Sequence, residues 1–157
     1  MSGAISKAGA GEATISNLTL EATATAVAVT PVGDSARLTL QQVSGPGGLA
    51  KSGAGSLRLA GALTYGGPTA VTAGTLDIAG LGVTLLTNLV TGSGTFRHSG
   101  GTTVVDAAAD NINTFTGPVI VDGGTLQHGT ANGNRRRGLS NAASYTVNAG
   151  ATMVTAR

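Results

Sequence analysis

Residues 48–78 read GLAKSGAGSLRLAGALTYGGPTAVTAGTLDI. The last part of that stretch returns fifty positions later. Tyr65-Gly66-Gly67-Pro68-Thr69-Ala70-Val71-Thr72-Ala73-Gly74-Thr75-Leu76 aligns without a gap with Phe115-Thr116-Gly117-Pro118-Val119-Ile120-Val121-Asp122-Gly123-Gly124-Thr125-Leu126. Shorter echoes extend the pattern. Ile5–Gly11 mirrors Leu49–Gly55, Gly92–Arg97 mirrors Gly53–Arg58, and Val147-Asn148-Ala149-Gly150 repeats Val71-Thr72-Ala73-Gly74. Self-similarity at short period is the signature of a chain built from stacked copies of one small unit.

The local pattern says what the unit is made of. Runs such as Leu38-Thr39-Leu40 and Leu57-Arg58-Leu59 alternate apolar and polar residues, the period of a strand with one face inside. Gly33-Asp34, Gly47-Gly48, Gly66-Gly67-Pro68, Gly100-Gly101 and Gly123-Gly124 punctuate the runs as turns. No apolar stripe of helical period and length is present; Val105–Ala109 is too short to stand alone. The echoes at spacings of thirty-nine and fifty imply about eleven extra residues between His98 and Thr114, which read as a loop leaving a regular stack, with Asp110-Asn111-Ile112-Asn113 suited to its turn.

Composition points the same way. Of 157 residues, 26 are Gly and only 10% are charged, against about a quarter in average domains. Aromatics make up 3%, so large rings cannot fill a globular core; a slender column of aliphatic and β-branched side chains can. The expectation is an all-β chain, a parallel β-solenoid with windings of about twenty residues, seven or eight in all. It forms a single domain over residues 1–157, with 1–45, where repetition is weakest, as a candidate separate attachment or capping segment. An antiparallel β-sandwich or jelly roll is the alternative, since it also uses many short strands.

The pattern G-L-x-K-x-G-x-G-x-L-x-L-x-G, then T-Y, G-G and V-x-A-G-T-L, resembles the passenger-associated repeat of bacterial autotransporters. Here it is carried by Gly48, Leu49, Lys51, Gly53, Gly55, Leu57, Leu59, Gly61, Thr64, Tyr65, Gly66, Gly67, Val71, Ala73, Gly74, Thr75 and Leu76. The resemblance implies a right-handed parallel β-helix on the outside of a bacterium. It implies no activity.

Chemistry-bearing motifs are sparse. No Cys is present, so there is neither a disulfide framework nor a thiolate metal site. No G-x-S-x-G elbow or phosphate-binding G-K-[ST] loop occurs. Asp77 and Asp122 could lie on neighbouring windings as a glycosidase pair, but almost any two residues of a solenoid could, and aromatic platforms for sugar are scarce. Asp106, Asp110, Asn111 and Asn113 offer oxygen ligands without the spacing of a calcium loop. His98 and His128 each follow a repeat segment and are expected as exposed residues at equivalent positions on two windings. The sequence therefore predicts no catalytic, cofactor-binding or metal site and no cofactor.

One cluster stands out. Arg135, Arg136 and Arg137, flanked by Gly133-Asn134 and Gly138, cannot be core and form the candidate partner contact. The net charge of +2, without stacking aromatics beside the arginines, argues against nucleic acid. No segment approaches the ~20 apolar residues of a spanning helix, so membrane insertion is not expected. The N-terminus lacks the pattern of a secretory signal peptide. The expected function is a non-enzymatic structural protein docked on protein neighbours, among them copies of itself. A phage virion surface, as a capsid-decoration or tail-associated protein, is the first expectation. The alternative is a passenger fragment of an autotransporter-type adhesin at the bacterial cell surface or outside the cell.

Overall fold

A computed structural model describes residues 4–22, 25–30 (as backbone), 36–106, 114–128, 139 and 141–155. Every strand pairing among them is parallel. That disposes of the sandwich, whose hairpins need antiparallel neighbours, and establishes the β-solenoid.

The chain winds over three faces. The first carries β1 (Ala4–Ala8), β4 (Thr25–Thr30), β7 (Leu49–Ser52), β10 (Thr69–Val71), β13 (Val90–Gly92) and β16 (Thr114–Phe115). The second is the deepest, with seven strands: β2 (Glu12–Ile15), β5 (Arg37–Leu40), β8 (Ser56–Leu59), β11 (Thr75–Ile78), β14 (Thr95–His98), β17 (Pro118–Val121) and β19 (Ser144–Val147). The third face is broken into two sheets. One holds β3 (Leu18–Thr19), β6 (Val43–Gly45) and β9 (Leu63–Tyr65). The other holds β12 (Val83–Leu86), β15 (Thr102–Val105), β18 (Thr125–His128) and β20 (Thr152–Thr155).

Alternation sends every second side chain inward, where pairing register stacks it into columns. On the second face one column runs Ala13, Leu38, Leu57, Leu76, Phe96, Val119, Tyr145; the next runs Ile15, Leu40, Leu59, Ile78, His98, Val121, Val147. Leu38 through Val119 in the first column, and Leu40 through Val121 in the second, are buried. At about 1.5–3 kcal/mol for each large aliphatic side chain, these columns supply the main driving force for winding. A one-residue slip in any strand would put its apolar set into water, so the register is strongly specified.

Winding length confirms the expected period in the middle of the stack. Arg37 pairs with Ser56 and Ser56 with Thr75, nineteen positions each; Thr75 pairs with Thr95, twenty on. The outer windings are longer: Glu12 pairs with Arg37, and Phe96 with Val119. The winding from Phe96 to Val119 is three positions longer than that from Thr75 to Thr95, not eleven as the echoes implied, and residues 107–113, where the expected turn falls, lie outside the described residues.

The fifty-residue repeat is realised in an unexpected way. Val71 and Thr75–Ile78 lie on the first and second faces, whereas Val121 and Thr125–His128 lie on the second and third. The two copies are the same corner used one face apart. What recurs is a strand, a tight corner with Gly in the left-handed region (Gly74 φ 67°, Gly124 φ 69°), and a strand opening on Thr-Leu. The corner chemistry is local, so it serves wherever the chain must turn.

Gly92 serves the core instead. It sits between Val71 below and Phe115 above in one inward column of the first face. A Cβ on it would lie 2.2 Å from the Val71 carbonyl oxygen. Without one, the buried Phe115 ring fills that level and meets Phe96 edge-on, centroids 6.2 Å apart at 71°.

Candidate functional site: corner lysine, outer charge ladder and the seam of the third face

Lys51 of the G-L-x-K-x-G motif points inward, in register with Val71, and is fully buried. Its side chain turns up into the corner, where Nζ donates to the carbonyls of Ser52 (2.7 Å), Gly53 (2.6 Å) and Ala73 (3.0 Å). No carboxylate shares the site among its described partners, and burial pushes its pKa from 10.5 down to about 8. Lys7 repeats the device, donating to the carbonyls of Ala8, Gly9 and Ala10. The lysine thus satisfies carbonyls that the tight turn leaves without ladder partners. Its chemistry is structural.

The outward side of the second face bears the charge. Arg58, Asp77 and Arg97 occupy one register position on successive windings. Arg97 Nε donates to Asp122 Oδ2 and Asn148 Nδ2 donates to Asp122 Oδ1, and the Arg97 hydrogen bond holds the Asp122 carboxyl below its ordinary value. Asp77 is buried, and its Oδ1 has no hydrogen-bond partner. Asp77 and Asp122 do not face each other across a groove: Asp77 lies on β11, the β14 strand comes next, and Asp122 follows β17, one winding further on.

The histidines depart from expectation. Both are buried, and they lie on different faces, His98 on the second and His128 on the third. His98 is a core residue between Ile78 and Val121, its Nε2 3.3 Å from the Gly101 carbonyl oxygen and its Nδ1 without a partner. His128 follows Leu86 and Val105 in an inward column and stacks on Tyr145 (centroids 6.0 Å, 17°). Burial lowers the pKa of each; for His98 the Gly101 hydrogen bond and the Asp77 charge partly oppose it. The sequence context that suggests surface equivalence is the strand-end position, and strand ends point inward as often as out.

The feature least visible in sequence is the seam between β9 and β12. Leu40 to Leu49 is nine steps across the third face, Leu59 to Thr69 ten, and Ile78 to Val90 twelve. The longer path takes β12 out of line with β9, and the two do not pair. Two adjoining recesses of about 410 and 330 Å3 mark the break, lined by residues 60–66 on one side and 80–89 on the other. Beside them Leu81 is 100% exposed, Val83 78% and Leu85 53%.

Of the other residues that the sequence singles out, Arg135, Arg136 and Arg137 lie outside the described residues, as do Asp110, Asn111 and Asn113. Asp106 is described, with Oδ1 buried and unpartnered.

With parallel windings, glycine corners and the corner lysine in place, comparison with known families is decisive on one point. Residues 49–78 and 110–127 match the passenger-associated-transport-repeat family. These two segments, under a third of the chain, are similar to the passenger repeat. Its first copy spans β7 to β11, from the corner lysine to the Thr75–Ile78 strand. No curated protein and no solved structure matches the chain. The match favours an autotransporter passenger-type domain over the virion protein expected first, for which neither the fold nor the comparisons give support.

Proposed function

We propose that this chain is a non-enzymatic, rod-forming segment of an autotransporter-type passenger, exposed at the bacterial cell surface or released outside the cell. The observation that carries the reading is the passenger repeat seated on a parallel solenoid, its apolar positions forming the core columns. Such a stack holds a fixed surface at a distance from its anchor and needs no cofactor to do so. Its partners are protein neighbours rather than nucleic acid, and the Arg135-Arg136-Arg137 cluster is one contact offered to them.

The test is display. Fused ahead of a translocator β-barrel in a Gram-negative host, the chain should reach the surface and yield a protease-resistant fragment on whole cells. Retention in the periplasm, with the same barrel displaying a control passenger, would refute the reading. Replacing all three arginines by Ala should leave that fragment intact while reducing adhesion or docking; unchanged docking would remove the arginines from the proposal.

A further inference from the structure

We propose that the loop of residues 79–82, leading onto the third face, is a site of limited proteolysis. An endopeptidase with an apolar specificity pocket cuts between Leu81 and Gly82, and the two pieces stay together as one rod. The inference stands apart from the passenger reading.

Three observations carry it. First, among the exposed large apolar side chains Leu81 alone lies outside a strand, and it is 100% exposed; Val83, Leu85, Tyr145, Val147 and Val154 belong to β12, β19 and β20. The residues outside the described ones include no Leu, Phe, Tyr or Trp, so they offer nothing to the same pocket. Second, the loop is weakly held. Ala79 N–H donates to the Leu59 carbonyl (2.9 Å) and the Gly82 carbonyl accepts from Thr102 (3.0 Å), but Gly80 and Leu81 make no main-chain hydrogen bond among the described residues. Gly80 rests on Gly101, glycine on glycine, so lifting it gives up no side-chain packing. Gly82 has open space around it, and a recess of about 330 Å3 lies between the loop and residues 60–62. Such segments sit at the low end of local stability, and two glycines let the opened chain take the extended form a protease grips. Third, the opening leaves the core alone. Ile78 before the loop and Thr84 after it are buried, whereas residues 81–83 between them are exposed. There is no ladder between β9 and β12 to break.

In the cut, water adds across the Leu81–Gly82 peptide bond. The C–N bond breaks, hydroxyl goes to the Leu81 carbonyl carbon and a proton to the Gly82 nitrogen, leaving a carboxylate and an ammonium. The break falls between β11 and β12. The pieces remain joined by the ladders of β10 on β13 and β11 on β14, and by Leu76 on Phe96 and Ile78 on His98 in the columns. Nicking therefore turns one chain into a two-part rod whose cohesion depends on concentration.

The test is brief digestion of the intact, folded chain with chymotrypsin, read by mass. The first cut should fall after Leu81, at a rate that does not track the global unfolding equilibrium as urea is raised, the mark of local opening. On size exclusion the nicked protein should run as one species, and its urea midpoint should fall on dilution while that of the uncut chain stays fixed. Leu81→Asp should slow the cut at least about tenfold, because the pocket loses its apolar side chain. At so exposed a position it should leave the unfolding curve of the uncut protein unchanged. Leu81→Phe should restore the cut. The proposal falls if the first cut lies elsewhere, if cutting tracks global unfolding, or if Leu81→Asp is cut in the loop as fast as the wild type. It also falls if the fragments separate on the native column, which would mean that two ladders do not hold the rod together.

Discussion

Replacing Lys51 by Met should change how stability depends on pH. In the folded chain the Lys51 pKa is lowered from 10.5 to about 8 by burial in the corner. The unfolded chain therefore binds more protons than the folded one between those values, and stability rises with pH across that window. The gap, at about 1.4 kcal/mol per pH unit, is worth on the order of 3 kcal/mol. The gain is absent below about pH 8 and complete above 10.5. Lys51→Met keeps an unbranched side chain, one heavy atom shorter, and loses the charge. It also strands the carbonyls of Ser52, Gly53 and Ala73, but that cost does not vary with pH. Urea unfolding of both proteins at a series of pH values isolates the effect, because the titrations of Tyr65 and Tyr145 cancel in the difference. The wild-type curve should climb relative to Lys51→Met through the window. A flat difference would mean that three carbonyls solvate the ammonium as well as water does, and the account of a dry corner would be wrong.

Acid should act through the histidines in the same sense, in a lower pH window. Burial lowers the pKa of His98 and His128, so stability is complete above the ordinary value of 6.5 and is lost as pH falls through their folded values. His98→Leu, which matches the column of Ile78 and Val121, should make the acid limb of a urea-midpoint-versus-pH curve shallower; an unchanged limb would place the sensitivity elsewhere. Phe115→Ala should cost about 3–5 kcal/mol in equilibrium unfolding, because Gly92 beneath it has no side chain to fill the gap. Gly74→Ala should lower the thermal midpoint by the equivalent of more than about 1 kcal/mol, since φ is 67° and a Cβ would stand 2.4 Å from the Gly53 and Gly55 carbonyl oxygens. Gly82→Ala, with open space around it, should stay within about 0.5 kcal/mol and serves as the control.

The solenoid is legible in the residues alone. Alternation in Ser56–Leu59 gives the inward pair Leu57 and Leu59, the glycine corners give the turning points, and the expected winding of about twenty residues gives the stack. These are local properties of backbone conformation and side-chain period, and a chain states them residue by residue. The echo of Gly53–Arg58 in Gly92–Arg97 even identifies true column mates, since Leu57, Leu76 and Phe96 lie above one another. The echo between Tyr65–Leu76 and Phe115–Leu126 does not, because a corner motif records that the chain turns and not at which of three corners it does so.

What the sequence could not state depends on how one winding sits on the next. Whether His98 points to water or into a column is set by the phase of β14 against Ile78 and Val121, two segments some twenty residues away on either side. Lys51, although charged, is inside because the corner above it offers carbonyls of both its own winding and the next. The seam at β12 exists only because one winding crosses the third face in twelve steps where its neighbour takes ten. By itself the sequence determined a stack of β windings with an aliphatic interior. Which edges pair, and which is left free, is a matter of lengths compared between windings, and only the assembled stack makes that comparison.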